Sequence, residues 1–83
     1  MTKTKVLIVD DEKENIRYLT TILEENGFRH IYSAADGDEG LKRVKEVMPG
    51  LIVLDVRMPK KSGIQVFNEL RKIWKYKDIP III

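Results

Sequence analysis

The chain has 83 residues and a mass of 9.7 kDa, which limits it to one small domain with a single core. Its 43% hydrophobic and 34% charged residues exclude a collagen-like or intrinsically disordered chain, and its net charge of +2 combines 5 basic and 9 acidic side chains over residues 1–40 with 10 and 4 over residues 41–83. The absence of cysteine excludes disulfides and thiolate metal sites, and no apolar run reaches the roughly 18 residues that span a bilayer, so we expect a cytoplasmic protein without a membrane anchor.

The first two predicted elements are a strand and a helix. Residues 6–9 form a short, β-branched apolar run that ends at Asp10 and Asp11, which is typical of a strand buried on both faces. The apolar residues that follow recur at spacings of three and four residues, and this period predicts an amphipathic helix. They are Ile16, Leu19, Ile22 and Leu23. Asn26-Gly27 then predicts the end of the helix, because glycine adopts the left-handed conformation without strain.

A short second strand and a second helix are predicted next. Residues 29–34 carry a weaker strand pattern, and its length fits an outer strand. Asp36 stands at an N-cap position with Glu39 three residues later, and this pair predicts the start of a helix. The apolar stripe of that helix comprises Leu41, Val44, Val47 and Met48. Pro49 cannot continue the helix and terminates it.

The last part of the chain predicts two further strands around a third helix. Residues 51–54 form an apolar run that ends at Asp55, and residues 59–63 form a loop before the helix. The third helical stripe comprises Ile64, Phe67, Leu70, Ile73 and Trp74. Residues 79–83 are a final apolar run, in which Pro80 is tolerated because it lies near the start of the strand.

Strands that alternate with helices imply right-handed parallel crossovers, so the sequence predicts an α/β fold with a three-layer open parallel sheet, connected βαβαβαβ over residues 1–83. The functional crevice of such a sheet lies at the carboxyl ends of its strands. Asp10 and Asp11 follow the first strand, and Asp55 follows the third. If those strands are neighbours, the three carboxylates converge on one point.

Converging carboxylates repel one another, and a hard divalent cation offsets that repulsion, which makes Mg²⁺ the natural candidate. Aspartate is also a favoured helix cap, and Asp10 or Asp11 taken alone is better explained in that way. The cap explanation is weaker for Asp55, since no long helix starts immediately after it and a lone acid that ends a buried strand loses solvation.

Two segments of the chain, residues 6–11 and residues 51–59, together with Gly63, resemble the receiver domain of two-component response regulators. Residues 35–41 are also similar to the entry of that family's second helix. The resemblance extends along all 83 residues, and the acid pair with the Asp-x-x-Met-Pro segment at this spacing is a specific signal.

The resemblance implies a flavodoxin-like sheet in the strand order 2-1-3-4 and a phosphoryl-accepting Asp55. It also implies that Asp10, Asp11 and Asp55, with the backbone carbonyl of Arg57, hold Mg²⁺. The phosphodonor would be the phosphohistidine of a histidine kinase, and the domain would be a signalling module, with autocatalytic phosphotransfer at most, rather than an enzyme. His30 is expected to be solvated or partly packed and to have no chemical role.

The family pattern also includes a fifth strand, two more helices, a hydroxyl residue after the fourth strand and a lysine after the fifth. None of these is present in the 83 residues. We therefore expect residues 1–83 to be a single truncated receiver domain with impaired signalling output. The alternative is an inert receiver fragment whose exposed fourth strand, Ile79–Ile83, drives a homodimer or a domain-swapped assembly.

Three other functions fit the sequence less well. Basic residues interleaved with Trp74 and Tyr76 suggest nucleic-acid binding, but Trp74 lies on the inward stripe of the third helix, which disfavours it. A flavin site is disfavoured because residues 10–12, Asp-Asp-Glu, would repel the cofactor's phosphate. A phosphatase with an aspartyl nucleophile is disfavoured because that class carries Asp-x-Asp on its first strand.

Overall fold

The computed structural model describes residues 2–58 and 61–83, with the side chains of Thr2 and Trp74 outside the description. In this part of the chain, four strands alternate with three α-helices and one short 3₁₀ turn. They are β1 (Thr2–Val9), α1 (Lys13–Glu25), β2 (Phe28–Ala34), α2 (Gly37–Val47), β3 (Leu51–Leu54), α3 (Gly63–Lys72), the 3₁₀ turn Trp74–Tyr76, and β4 (Ile81–Ile82). The predicted inward position of the Trp74 side chain and the predicted loop start at Pro59 lie outside the described residues.

The four described strands form one parallel sheet in the order β2-β1-β3-β4. Val9 of β1 is in register with Ala34 of β2 and with Leu54 of β3. On the other side of β3, Ile52 is in register with Ile81 of β4. This topology confirms the predicted α/β fold and its strand order 2-1-3-4.

One face of the sheet is packed against α2 and α3. The core on this face comprises Leu7, Val9, Ala34, Val44, Ile52, Leu54, Val66, Leu70 and Tyr76. Helix α2 approaches the sheet closely at Gly40, where an added Cβ would lie 3.0 Å from Cγ1 of Val9. The close approach of α2 to β1 therefore depends on glycine at position 40.

Among the described helices, only α1 lies on the opposite face. Leu19 of α1 lines the same open cavity as Ile8 and Val53 of the sheet. No residue of α1 is fully buried, although Ile8 beneath it is completely inaccessible to solvent. The described helices therefore cover this face only in part.

Side-chain caps fix the starts of α2 and α3. Oδ1 of Asp36 accepts a hydrogen bond of 2.9 Å from the backbone N–H of Glu39, while Oε1 of Glu39 accepts one of 2.7 Å from the N–H of Ala35. At α3, Ser62 and Gln65 form a reciprocal capping box. Such pairs satisfy backbone donors that have no partner within the helix, and the first of them confirms the predicted start at Asp36.

Arg71 fixes the connection between α3 and β4. Its guanidinium lies 4.9 Å from the ring centroid of Phe67, and it donates hydrogen bonds of 3.1 Å and 2.9 Å to the backbone carbonyls of Tyr76 and Ile79. Both carbonyls belong to the segment between α3 and β4, that of Tyr76 at the end of the 3₁₀ turn and that of Ile79 just before β4. One side chain therefore satisfies two backbone acceptors in that segment.

Several details of the predicted elements are wrong, including Ile22, which is exposed, and Ile73, which follows the end of α3. Met48 does not extend the stripe of α2, because it is 46% exposed and ends the helix in the left-handed conformation with φ of 53°. Ile64 is 47% exposed, and Val66 takes the buried position in α3 instead. The last strand contains only Ile81–Ile82 of the predicted run of residues 79–83.

The helices are short, and within residues 2–58 and 61–83 none has the length and apolar character that a membrane crossing requires.

Candidate functional site

The register of β1 and β3 brings the predicted acids together. Asp10 and Asp55 each extend their strand by one residue, and the backbone N–H of Asp55 donates a hydrogen bond of 2.9 Å to the carbonyl of Val9. One carboxylate oxygen from each of Asp10, Asp11 and Asp55 lies within 4.8 Å of the others. The expected convergence of the three acids at the carboxyl ends of neighbouring strands is confirmed.

Asp10 is the deepest of the three acids, with only 6% of its surface exposed. Its Oδ1 accepts a hydrogen bond of 2.9 Å from the backbone N–H of Glu12, and its Oδ2 accepts one of 3.3 Å from the Asn15 side-chain amide. Glu12 is the N-cap residue of α1, and no side chain makes a cap hydrogen bond there. Asp10 therefore stabilises the turn that leads into α1, although it is not the N-cap residue of the helix.

Asp55 is half-buried and Asp11 is exposed, so the cluster opens from a buried floor to solvent. Oδ1 of Asp55 accepts a hydrogen bond of 3.2 Å from the backbone N–H of Arg57. Among the described residues, none donates to its Oδ2. One oxygen of Asp55 is therefore held by the following loop, and the other accepts no hydrogen bond from residues 2–58 or 61–83.

The loop after Asp55 returns to pack on the backbone of this residue. The N–H of Gly63 donates a hydrogen bond of 3.1 Å to the carbonyl of Val56. A Cβ at Gly63 would collide with the carbonyl oxygen of Asp55 and would lie 2.9 Å from its carbonyl carbon. Glycine is required here by the close approach of two backbone segments.

Lys61 ties the same loop to α2 and α3. Its ammonium lies 2.6 Å from Oε2 of Glu69 and 3.6 Å from Oδ1 of Asp38. The hydrogen bond to Glu69, with the charges of both carboxylates, raises the pKa of Lys61 above its usual value. The charge of Lys61 is thus matched by two acids outside the Asp10, Asp11 and Asp55 cluster.

An open cavity of about 300 Å³ adjoins the cluster on the α1 side of the sheet. Its apolar wall includes Ile8, Leu19, Val53 and Ile83, and its polar rim includes Asp10, Asp55 and Arg57. The site therefore combines an acidic rim with an apolar wall.

The donor set fits a hard divalent cation. Mg²⁺ prefers oxygen ligands, binds through one or two carboxylates and keeps several of its waters. Here a buried and oriented Asp10 lies beside a half-buried Asp55 and an exposed Asp11, which leaves room for those waters. The three residues fit the metal that the sequence suggested.

Other candidate residues of the sequence have no part in this cluster. His30 is exposed on the outer strand β2, as expected. Two of the basic residues that suggested nucleic-acid binding have structural contacts, since Lys61 pairs with acids and Arg71 binds backbone carbonyls. Lys60 lies outside the described residues.

Sequence reasoning missed Asn15 as a residue that shapes the site, and it did not identify the contacts through which Lys61 and Gly63 do so. The signal for Asn15 is its spacing, because a residue five positions after Asp10 falls in the first turn of α1 and faces back toward the strand end. The contact of Lys61 with Asp38 joins distant parts of the chain, and the contact of Gly63 with Asp55 exists only because the loop between them folds back, so a local pattern does not show either contact.

Comparison with known proteins identifies the relatives of the chain. Residues 6–83 match the model of the response regulator receiver domain. The probable transcriptional regulator ycf27 of Porphyridium aerugineum is 46% identical over 82 residues, which are 99% of this chain and 32% of the relative. The alkaline phosphatase synthesis transcriptional regulatory protein PhoP of Bacillus subtilis is 44% identical over 68 residues, which are 82% of this chain and 28% of the relative. The chain thus spans about a third or less of these curated relatives.

Solved structures share the fold. The chemotaxis protein CheY4 of Vibrio cholerae superposes with a TM-score of 0.87 at 31% identity, over 96% of this chain and 66% of that one. The response regulator protein TrrA of Thermotoga maritima, solved in complex with Mg(2+)-BeF, has a TM-score of 0.86 at 38% identity, over 94% of this chain and 65% of that one.

Proposed function

The chain belongs to the family of response regulator receiver domains, and on that premise we propose that it accepts a phosphoryl group on Asp55 from the phosphohistidine of a histidine kinase. The observation that carries the proposal is the position of Asp55, half-buried at the carboxyl end of β3 and within 4.8 Å of Asp10 and Asp11. A carboxylate nucleophile next to oxygen donors for a cation is the arrangement that phosphoryl transfer uses.

The transfer is an in-line substitution at phosphorus. We assign the attack to Oδ2 of Asp55, because Oδ1 is held by the N–H of Arg57. An O–P bond forms to give an acyl phosphate, while the P–N bond to the donor imidazole breaks. The bonding electron pair stays on the imidazole nitrogen, which takes up a proton.

Asp10, Asp11, Asp55 and the backbone carbonyl of Arg57 would hold Mg²⁺. When bound, the ion neutralises charge on the phosphoryl oxygens. The chain's own contribution is orientation: Asp10 is fixed by two hydrogen bonds, and Asp55 is fixed by the N–H of Arg57. The TrrA relative, which was solved with Mg(2+)-BeF, supports this assignment by similarity.

Incubation with a small phosphodonor and Mg²⁺ tests the proposal. The intact mass is expected to rise by one phosphoryl group, and the gain is expected to vanish in Asp55→Asn and in the presence of a chelator. Asp78→Asn is a matched control, because Asp78 is an exposed acid outside the cluster. Phosphorylation that persists in Asp55→Asn contradicts the assignment.

For the 83-residue chain alone, we propose that phosphorylation gives only a weak conformational response. The resemblance assigns that response to a hydroxyl residue after the fourth strand and a lysine after the fifth, which are not among these residues. NMR spectra of the free and phosphorylated chain test this. Shifts confined to the neighbourhood of Asp55 are expected, and shifts that spread across the sheet contradict it.

Self-association is the second candidate function, and exposed apolar surface at β4 favours it. Ile82 and Ile83 are each 56% exposed, and β4 pairs only with β3 among the described strands. Exposed apolar strand edges pair with other chains. Sedimentation over a range of concentrations is expected to show a dimer or swapped assembly that Ile82→Lys abolishes. A stable monomer at high concentration contradicts this candidate.

A further inference from the structure

We propose that Asn15 is a positioning residue for the cation site: its amide holds the Asp10 carboxylate from the first turn of α1 and thereby couples Mg²⁺ binding to the attachment of that helix. The inference rests on the proposed function, because it assumes that Asp10 is a ligand. It adds a residue that makes no contact with phosphate and acts through Asp10.

Two donors orient Asp10, and they differ in kind. The backbone N–H of Glu12 donates to Oδ1 at 2.9 Å, and the path of the chain fixes this contact. The Asn15 amide donates to Oδ2 at 3.3 Å, and this contact depends on residue type. Within the described residues, no other group donates to the Asp10 side chain. Because Asp10 is 6% exposed, bulk water is a poor substitute for the amide.

The residue type suits the task. One oxygen from each of three carboxylates lies within 4.8 Å of the others, so the site already concentrates negative charge that a cation can bind. A lysine or arginine at position 15 would neutralise Asp10 and compete with the cation. A neutral amide stabilises the ionised oxygen by a hydrogen bond and leaves its charge available to the metal.

Helix α1 has little else to fix its first turn. None of its residues is buried, and no side chain caps its start. The hydrogen bond from Asn15 to Asp10 is a polar link between this turn and the end of β1. We therefore expect cation binding, by ordering Asp10, to strengthen the link and to protect the start of α1.

The experiment compares Asn15→Ala with Asn26→Ala in the 83-residue chain. Asn26 is a matched control, because its side-chain amide donates 2.8 Å to the Ile22 carbonyl at the far end of the same helix. The Mg²⁺ dissociation constant is measured by calorimetry or NMR titration. Asn15→Ala is expected to weaken Mg²⁺ binding about two- to tenfold, the value of one ordinary hydrogen bond. Asn26→Ala is expected to leave the constant unchanged.

The Asn15→Asp variant is expected to increase the effect of Mg²⁺ on stability, whereas Asn15→Ala is expected to reduce it. A fourth carboxylate is expected to lower the thermal midpoint without metal and to increase the rise in midpoint on adding Mg²⁺. A role in helix stability alone would lower the midpoint equally with and without the ion. Hydrogen exchange at the start of α1 is expected to slow on Mg²⁺ addition in the wild type and less so in Asn15→Ala.

The outcomes separate the two proposals. A wild-type chain that binds Mg²⁺, with the same dissociation constant in Asn15→Ala as in Asn26→Ala, overturns the role of Asn15 and leaves the proposed function intact. A wild-type chain that binds no Mg²⁺ overturns the metal-dependent function together with this inference. Circular dichroism of each variant establishes that it is folded, and alanine at the exposed helix position 15 favours the helix.

Discussion

The two faces of the sheet are built from similar sequence patterns but differ in how they are covered. On the α2 and α3 face, Leu70 and its neighbours Val44 and Val66 are each 1% exposed. On the α1 face, the corresponding Leu19 remains half-buried, and no residue of α1 is fully covered. An amphipathic period therefore shows which side of a helix turns inward, but not whether another layer completes its cover.

The site lies where these two halves meet. Asp55 and its loop belong to the well-packed half, held by Gly63 on the backbone and by Lys61 between Asp38 and Glu69. Asp10 precedes the loosely covered helix and is oriented by two hydrogen bonds. Asp55 is therefore positioned largely by the loop that follows it, whereas the Asp10 carboxylate is oriented by hydrogen bonds from the start of α1.

The largest expected effect comes from removing the same side chain on each face. Leu70→Ala is expected to lower the free energy of unfolding by about 2–5 kcal/mol, because it leaves a cavity in a closed core. Leu19→Ala is expected to lower it by no more than about 1 kcal/mol, since the side chain already borders open space. Urea denaturation monitored by circular dichroism measures both. Equal losses would contradict the difference between the faces.

The next effect concerns the loop on the packed side of the site. Gly63→Ala is expected to lower the free energy of unfolding by about 1–3 kcal/mol and to weaken phosphorylation of Asp55, because the new Cβ collides with the Asp55 backbone. Gly50→Ala is the control, since its Cβ would meet the end of the Thr4 side chain at 3.1 Å, which can give way. A loss confined to stability, with normal phosphorylation, would separate the loop from the site.

Substitutions at the helix caps are expected to give a smaller difference in stability between the α2 side and the α1 side of the sheet. Asp36→Ala is expected to destabilise the protein by about 1 kcal/mol, because the N–H of Glu39 loses its acceptor. Glu12→Ala at the start of α1 is expected to change stability by less than about 0.5 kcal/mol, since Glu12 makes no side-chain cap. Denaturant midpoints of the two variants check the difference, and a larger loss at Glu12 would reverse it.

The smallest effect is the pH dependence that Lys61 contributes. A pKa raised in the folded state means that the stabilisation is fully present below the usual lysine pKa of about 10.4 and is lost as the pH rises through the folded value. The difference in stability between wild type and Lys61→Met is therefore expected to shrink above about pH 10. Lys72→Met, at an exposed position on α3, provides the comparison. A difference that is constant across this range contradicts the ion pair.

The elements and the acidic cluster were predictable because each rests on a local pattern. Apolar runs ended by Asp10 and Asp55 indicate strands, the rule for parallel sheets places their ends at one edge, and the family resemblance implied that the two strands are neighbours. The error at Met48 arose because its apolar side chain continues a helical period, while its backbone takes the left-handed conformation that usually calls for glycine. Ile64 was misplaced because Gly63, Val66 and Leu70, spaced three and four residues apart, define the buried face of α3 instead.

The contacts that Lys61 and Gly63 make around the loop after Asp55 were not predictable from a local pattern, for a physical reason. Lys61 reaches Asp38 across 23 positions of sequence, and Gly63 touches the backbone of Asp55 only because the loop folds back. Such contacts depend on how α2 and α3 are placed relative to each other. Burial of α1 is the same kind of property, because it depends on which other segments reach the sheet.

The guanidinium of Arg71 sets the length of the segment that joins α3 to β4. It donates hydrogen bonds to the carbonyls of Tyr76 and Ile79 at the same time. These two residues are therefore held at fixed distances from the last turn of α3. An ammonium group offers a single point charge and lacks this planar two-pronged geometry. Insertions or deletions between Tyr76 and Ile79 therefore break one of the two bonds, which makes this surface connection far less tolerant of length variation than an ordinary loop.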